Sequence, residues 1–493
     1  MTAERRIRPL RGQRQIDVLS ESDVERIHAA TMTVLERVGL QITSERILRA
    51  LADAGAKVDL DEQRVRFPTA MVEEKIALAP SEYLLAARDP ALDVHVGAGN
   101  GYLTLDGCAA EIVDRRTGLR RAPVRQDLIE ATRLADAVEE VSVMWSCVAI
   151  TDVPPSVQGL HQTLTLLANS TKHAVASSFS ARDARTMVEM GQTVAGGAEA
   201  LRARPIMSSM QCSISPLMWE GDVMEAAIEF AEAGIPCGFV AMAIGTATAP
   251  TTLAGHLVSV NAELLGGIAV LQTLVPGAAT YYGPYQAFMD LQTGGIELAW
   301  GPEDVLFKLG AAQLARRYRL PMNILSFATG SKTQDWQAGA QHAISLTGVA
   351  LAGQADLISG TGCVYGSRVF AFENVLLDAE LFSLVGRLLE DVPAEDDDLA
   401  LEVIEAIGPG GHYLAETHTR AHMRELWMPT FFGRDSWEDW EVAGKPEARD
   451  RAHARVAEII EQHQPEPLPE DVERELYNII ESFERRTEGA RHG

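Results

Sequence analysis

Between residues 100 and 390 short apolar runs alternate with longer stretches in which apolar residues recur every three or four positions. The runs are YLTLD (102–106), VSVMWSCVAI (141–150), HAVASS (173–178), PIMSSMQCSI (205–214), PCGFVAMAI (236–244), AATYYGP (278–284), PMNILSF (321–327) and ADLISGTG (355–362). Several are nearly continuous in apolar and small residues, as strands of a parallel sheet buried on both faces are. The intervening spacing predicts helices over 127–138, 156–170, 181–195, 219–233, 251–273, 302–318, 335–353 and 373–390. Eight strand-then-helix units with no second sheet pattern predict an α/β fold, a closed (β/α)8 TIM barrel over 99–392 rather than an open doubly wound sheet.

The flanks read differently. Residues 1–98 predict an N-terminal α+β cap, in which SESDVERIHAATMTVLERVGL and SERILRALADAGA have helix starts at Ser and stops at Gly. VDLDEQRVRF, EYLLAARD and LDVHVGAG alternate like half-buried strands of a small sheet. Residues 393–493 predict a helical C-terminal extension, with LPEDVERELYNIIESFERR amphipathic behind a proline start. The acidic stretch EDVPAEDDD (390–398) between barrel and extension reads as a solvated linker and helix cap.

Composition narrows the partners. At 493 residues, 46% hydrophobic, the chain buries a sizeable core, and 43 Lys plus Arg against 69 Asp plus Glu give a net charge of −26. Such a surface argues against nucleic acid or an anionic membrane as the main partner. The five cysteines, Cys108, Cys147, Cys212, Cys237 and Cys363, are scattered without a CxxC, which disfavours a disulfide framework or zinc ribbon and predicts a reduced, cytoplasmic compartment. Arg5, Arg6, Arg8, Arg11 and Arg14 precede no apolar stretch, so no signal peptide is expected. The most apolar helix, near 251–275, is interrupted by His256, Asn261, Glu263 and Gln272 and is not expected to span a membrane.

In a barrel the active site is built at the C-terminal ends of the strands. Those ends supply Thr104 and Asp106, Trp145 to Cys147, Ser177 and Ser178, Gln211 with Ser213, Met242, Tyr281 to Tyr285, Ser326 and Phe327 followed by Lys332, and Thr361 with Tyr365. They are rich in aromatics and hydroxyls and poor in carboxylates and histidines. In a chain with 6% aromatics, Tyr281, Tyr282, Tyr285 and Phe288 fall in one expected loop. Aromatic faces beside small polar groups suit a quaternary ammonium ion, held by ring quadrupoles; ordinary barrel packing is the other reading of the same rings.

Other motifs point elsewhere only weakly. Gly97, Gly99 and Gly101 imitate an S-adenosylmethionine glycine loop, but YLTLDGCAAEIVDRRTGLRRA continues as a strand and hairpin, not as the helix that loop requires. GTGCVYG (360–366) reads as a turn leaving the eighth strand. His418 and His422 are four apart, a metal-compatible spacing near His412, yet no third soft ligand and no HExxH accompany them, so no metal site is expected. No G-x-S-x-G elbow supports a hydrolase.

The C-terminal run GPGGHYLAETHTRAHMRELWMPTFFGRDSWEDWEVAGK, followed by PEPLPEDVERELYNII, resembles the ending of the trimethylamine methyltransferase family, the corrinoid-dependent amine methyltransferases. SFATGSKTQDWQAGAQHAISLTGVALAGQADLI and FAFENVLLDAEL resemble the family's seventh and eighth barrel units, and TVLERVGLQI its opening helix. The resemblance implies a (β/α)8 barrel that passes a methyl group from a methylated amine to the Co(I) corrinoid of a separate small protein. Members acting on trimethylamine carry pyrrolysine after strand seven; here Ser331 to Trp336 are standard residues, with Thr333 to Asp335 at that place. The chain therefore resembles the non-pyrrolysine branch, whose substrates are quaternary amines such as glycine betaine, proline betaine and carnitine.

On that reading Tyr102, Trp145, Tyr281, Tyr282, Tyr285 and Phe327 are expected to wall the substrate site. Lys332, Gln211 or Ser213 would recognise a betaine carboxylate. The site needs no metal or cofactor bound by this chain, because a quaternary ammonium already leaves as a neutral amine; no single catalytic residue is assigned. The chain departs from the family after strand eight, where a histidine-containing loop is replaced by ISGTGCVYGSRVF with Ser359 near that position, and Arg368 follows in the same segment. The partners implied are a cobalamin-binding corrinoid protein, a small quaternary amine and further copies of the chain as a homo-oligomer. A barrel that binds quaternary amines without transferring a methyl group, and an S-adenosylmethionine enzyme, remain the other functional readings.

Overall fold

The computed structural model describes residues 6–11, 14–298 and 301–491. Eight parallel strands make the central sheet: β1 (Asn100–Leu105), β2 (Val141–Trp145), β3 (His173–Ala176), β4 (Met207–Cys212), β5 (Cys237–Gly245), β6 (Tyr282–Met289), β7 (Asn323–Leu325) and β8 (Leu357–Thr361). Behind each strand follows a helix: α1 (Arg125–Ala137), α2 (Gln158–Asn169), α3 (Ala181–Ala195), α4 (Gly221–Glu232), α5 (Leu253–Leu274), α6 (Pro302–Tyr318), α7 (Trp336–Ala350) and α8 (Phe372–Leu389). The order along the sheet is β6-β5-β4-β3-β2-β1-β8-β7, so the first strand lies beside both the second and the eighth. The sheet is curled, and its two ends meet at one parallel bridge, Tyr282 with Met322, where the Tyr282 N–H donates to Pro321 O at 2.8 Å. Leu10–Arg11 and Ile296–Glu297 add short antiparallel pieces to β1 and β6.

Two-residue alternation sorts side chains between the faces of this sheet. Leu103 and Leu105 of β1 join the main core beneath the helices. Tyr102 instead joins a second buried cluster with Val143, Val240, Tyr281, Tyr285, Leu325 and Leu357, on the concave face. Leu85, Val94 and Val96, from the strands Tyr83–Leu85 and Val94–Val96, join that cluster at the N-terminal ends of the sheet strands. Asp356, just before β8, fixes this end by accepting from Gly97 N–H at 2.9 Å and Met322 N–H at 2.8 Å.

The sixth strand is displaced from its expected place. It runs Tyr282–Met289 instead of over 278–284, so the four aromatics expected in a loop lie on or beside a strand. Gly283-Pro284 has the look of a turn, but Pro284 pairs with Ala241 of β5. Its missing N–H faces the side where β6 has only the single bridge to β7, so no ladder bond is lost.

The N-terminal segment contributes helices Glu21–Thr33, Glu45–Asp53 and Thr69–Ile76, the last not marked by the spacing, and the strands Leu40–Ile42, Lys57–Asp59 and Arg64–Arg66. Its first and third helices pack on α5. Of the N-terminal arginines, Arg5 lies outside the described residues, Arg6 and Arg8 pair with Glu139, and Arg14 pairs with Asp391. At the other end, Ala448–Gln462 packs on α8 and Glu470–Arg491 on α3. Among the described residues α5 alone is long and apolar enough to cross a membrane, and most of it is buried inside the fold.

One buried group makes the fold acid-sensitive. His173 at the start of β3 is fully buried, with Nδ1 2.8 Å from Ala86 O and Nε2 2.9 Å from Ser208 Oγ. Burial pushes its pKa down to about 4. The unfolded chain takes up this proton near pH 6.5 and the folded chain resists until near 4, so stability is lost as pH falls through that window, at about 1.4 kcal/mol per pH unit for this group. His173→Gln is expected to remove one proton from the slope of urea-derived stability against pH across that window.

Candidate active site

The C-terminal ends of the strands surround a cavity of about 490 Å³. Trp145, last residue of β2, stands in the concave phase with Val143 and donates its indole N–H to Ser177 Oγ at 3.2 Å. Its ring fills the space above Gly107, where a Cβ would sit 2.6 Å from the indole, so only glycine permits this approach. Tyr285 forms another wall, its hydroxyl donating to Asn323 Oδ1 at 3.1 Å and bonded to Ser359 Oγ. Gln211, with Nε2 3.1 Å from Ser209 Oγ, and the hydroxyl residues Ser177 and Ser178 add polar groups. At the rim Phe179, Ile214 and Met242 are 74%, 49% and 46% exposed.

Two carboxyl groups border the cavity. Asp106 is one residue beyond β1, in phase with Tyr102 and Thr104 on the concave face, and is 4% exposed. Its Oδ1 accepts from Gly107 N–H at 2.8 Å, its own N–H donates to Thr361 O at 3.1 Å, and its Oδ2 is buried without a hydrogen bond. Burial raises its pKa to about 6, opposed by the nearby Ser367 hydroxyl, the Gly107 N–H and the Cys363 thiol. Glu220 lies exposed at the rim. Cys108 and Cys212 are exposed on the cavity wall, and desolvation by the surrounding protein pushes their thiols up to about 11 and about 12, so neither is a thiolate at neutral pH.

The expected site residues divide into three sets. Trp145, Gln211, Ser213 and Tyr285 line the cavity. Tyr102 and Tyr281 belong to the apolar cluster that also includes Val240, Tyr285 and Leu325 of the cavity wall, but do not line the cavity themselves. Tyr282 and Phe327 are corrections: Tyr282 points from the convex face of β6 and donates to Asn261 of α5 at 3.2 Å, and Phe327 packs edge-on against His342 of α7 at 5.6 Å.

Lys332 is a third correction, lying in a neighbouring groove of about 560 Å³ where Nζ donates to Gly330 O at 2.6 Å over the Tyr365 ring. Ser213 reaches the cavity, but its hydroxyl is committed to Glu263, 2.5 Å away on α5. That buried carboxylate also accepts from Ser215 Oγ at 2.8 Å and Leu217 N–H at 2.9 Å, so it holds the wall after β4 in place.

Sequence reasoning gave no role to Asp106 or Glu263. Alternation along YLTLD was the available signal for the first; nothing local connects Glu263 to a loop some 50 positions earlier. The histidine expectation also changes in detail. His422 Nε2 lies 3.2 Å from Asp397 Oδ2, and Asp397, His418 and His422 gather on an exposed surface, with the third group coming from the acidic linker.

A family profile described as trimethylamine methyltransferase (MTTB) matches residues 2–490. A trimethylamine methyltransferase MttB of Desulfitobacterium hafniense (strain DSM 10664 / DCB-2) is 34% identical over 468 residues, spanning 94% of this chain and 93% of the relative. A glycine betaine methyltransferase of Desulfitobacterium hafniense (strain Y51) is 30% identical over 466 residues, spanning 94% and 96%. The solved monomethylamine methyltransferase MtmB of Methanosarcina barkeri aligns with a TM-score of 0.46 at 14% identity, covering 91% of this chain and 95% of that one. Family profile and relatives together make the chain an amine methyltransferase, and it belongs to the trimethylamine methyltransferase family.

Proposed function

We propose that this enzyme removes a methyl group from a quaternary ammonium compound and hands it to the reduced corrinoid of a separate protein docked over the cavity. The observation that carries this is the cavity itself, walled by Trp145 and Tyr285 at the strand ends and rimmed by exposed apolar side chains. The broad rim of Phe179, Ile214 and Met242 suits the flat face of a corrin ring. The corrinoid, when docked, supplies the nucleophilic electron pair that accepts the methyl group. The C–N bond electrons return to nitrogen, which departs as a neutral tertiary amine needing no proton. Trp145 and Tyr285 hold the ammonium by their ring faces, and the closed floor excludes water, so the chain contributes orientation and desolvation.

The single bridge between β6 and β7 supports reading the curled sheet as a closed (β/α)8 barrel. The run of helices and short strands on either side supports an N-terminal cap over 1–98, a barrel over 99–392 and a C-terminal extension over 393–493.

The docking face of the partner includes the groove beside the cavity. Tyr365 lines the groove while Gly366 and Ser367 line the cavity, so one loop divides them. In a chain of net charge −26 this groove is locally basic, with Arg115, Arg116, Arg120, Lys332 and Arg449 against Asp114, Glu373 and Asp450. An acidic partner surface is the complement. Arg116→Glu with Arg449→Glu is expected to slow methyl transfer to the corrinoid protein at least tenfold at low salt while leaving amine binding unchanged. Stopped-flow transfer at increasing ionic strength tests this: a variant as fast as the parent at low salt would remove the groove from the interface.

A further inference from the structure

We infer that Asp106 is the counter-ion of the bound ammonium, and that the substrate is a net cation without a carboxylate, of the choline or tetraalkylammonium class rather than a betaine. The inference rests on the proposed use of the cavity as the ammonium site and names what that site selects. Among the described residues no Lys, Arg or His lines the cavity, whereas Asp106 and Glu220 do. A betaine carboxylate entering this space is desolvated without a cationic partner and in the field of two carboxylates. A trimethylammonium head meets Trp145, Tyr285 and Asp106, the one buried carboxyl group of the lining. The remaining hydroxyl and amide side chains, Ser177, Ser178, Gln211, Ser213 and Ser367, are neutral and suit a hydroxyl or other uncharged tail.

The cations seen in the sequence do not reach this space. Lys332 is occupied by Gly330 O and the Tyr365 ring, and Arg368 stacks on the same ring at 5.1 Å, both across the loop that separates groove from cavity. The groups that face Asp106 are neutral or already paired. Cys108, Cys147, Cys363 and Tyr285 are held in their protonated forms by burial. Asp378 is bonded to His342 Nδ1 at 2.8 Å and to Gly362 N–H at 3.0 Å. With its pKa raised to about 6, Asp106 is poised to ionise near neutrality, and a cation beside it favours the ionised form.

Calorimetric titration of the full chain with choline, glycine betaine and the neutral isostere 3,3-dimethylbutan-1-ol tests this. Choline is expected to bind at least tenfold more tightly than either of the others at pH 7.5. Asp106→Asn should bring choline to within threefold of the neutral alcohol while leaving the alcohol unchanged. The unsubstituted protein gives an arm independent of folding: with a carboxyl pKa near 6, choline affinity should fall about tenfold from pH 7.5 to 5 and that of the alcohol should not move. Glycine betaine binding as tightly as choline, or an unchanged choline-to-alcohol ratio in Asp106→Asn, overturns the inference alone. Failure of every trimethylammonium compound to bind overturns the proposed use of the cavity, and the inference with it.

Discussion

Trp145→Ala is expected to lower kcat/KM for methyl transfer about 10²-fold, the largest loss of any wall residue, without unfolding the chain. Losing a desolvated cation–π contact costs about 2 kcal/mol, the apolar face it presents to the substrate about 1 more, and 1.4 kcal/mol is a tenfold change. Trp145→Phe keeps a ring face but loses the indole N–H to Ser177, and should retain activity within about tenfold. Gly107→Ala should imitate Trp145→Ala, because its new methyl group would occupy the space of the indole ring. Steady-state transfer with circular dichroism as a check on folding decides the matter. A fully active Trp145→Ala protein would place the ammonium site elsewhere.

Lys308→Met is expected to destabilise the fold by about 3–5 kcal/mol, because it leaves a buried carboxylate without its cation. Lys308 and Asp304, one turn apart on α6, are 1% and 3% exposed at their side chains and 2.6 Å apart. Lys308 Nζ also donates to Ser345 Oγ of α7 at 2.7 Å, and Gln286 of β6 donates to Asp304, so the pair ties strand to two helices on the convex face. Burial works against both charges, raising the Asp304 pKa and lowering that of Lys308, while each counters this in the other. Removing both should cost far less than removing either, so Asp304→Asn with Lys308→Met should recover much of the loss. Urea denaturation of the four proteins measures the coupling, and additive losses would contradict it.

The main frame of the fold was legible because buried parallel strands are written as short apolar runs and their helices as three-four spacing. The eight units follow that pattern, and the helix expected over 181–195 has those bounds, capped by Ser180 and ended at Gly196. The site was less legible, because a side chain reaches the cavity only if its strand is in the right phase. Reading Tyr281 to Phe288 as a loop hid the alternation that turns Tyr285 inward and Tyr282 outward. Asp106 was in view at a strand end, yet only the absence of lining cations among the described residues gives it a role, and that depends on where distant loops fold. Lys332 shows the same limit from the other side: one residue at a strand-end loop, placed by the Tyr365–Ser367 turn into a separate groove.

The most direct test of the proposed methyl transfer is single-turnover spectroscopy with a purified corrinoid protein reduced to its Co(I) state, offered choline, glycine betaine, proline betaine, carnitine or trimethylamine. Methylation of the corrinoid is expected with a quaternary amine, choline foremost, and none with trimethylamine. Methylation from trimethylamine, or none from any quaternary amine when the same corrinoid protein accepts a methyl group from another enzyme, would contradict it.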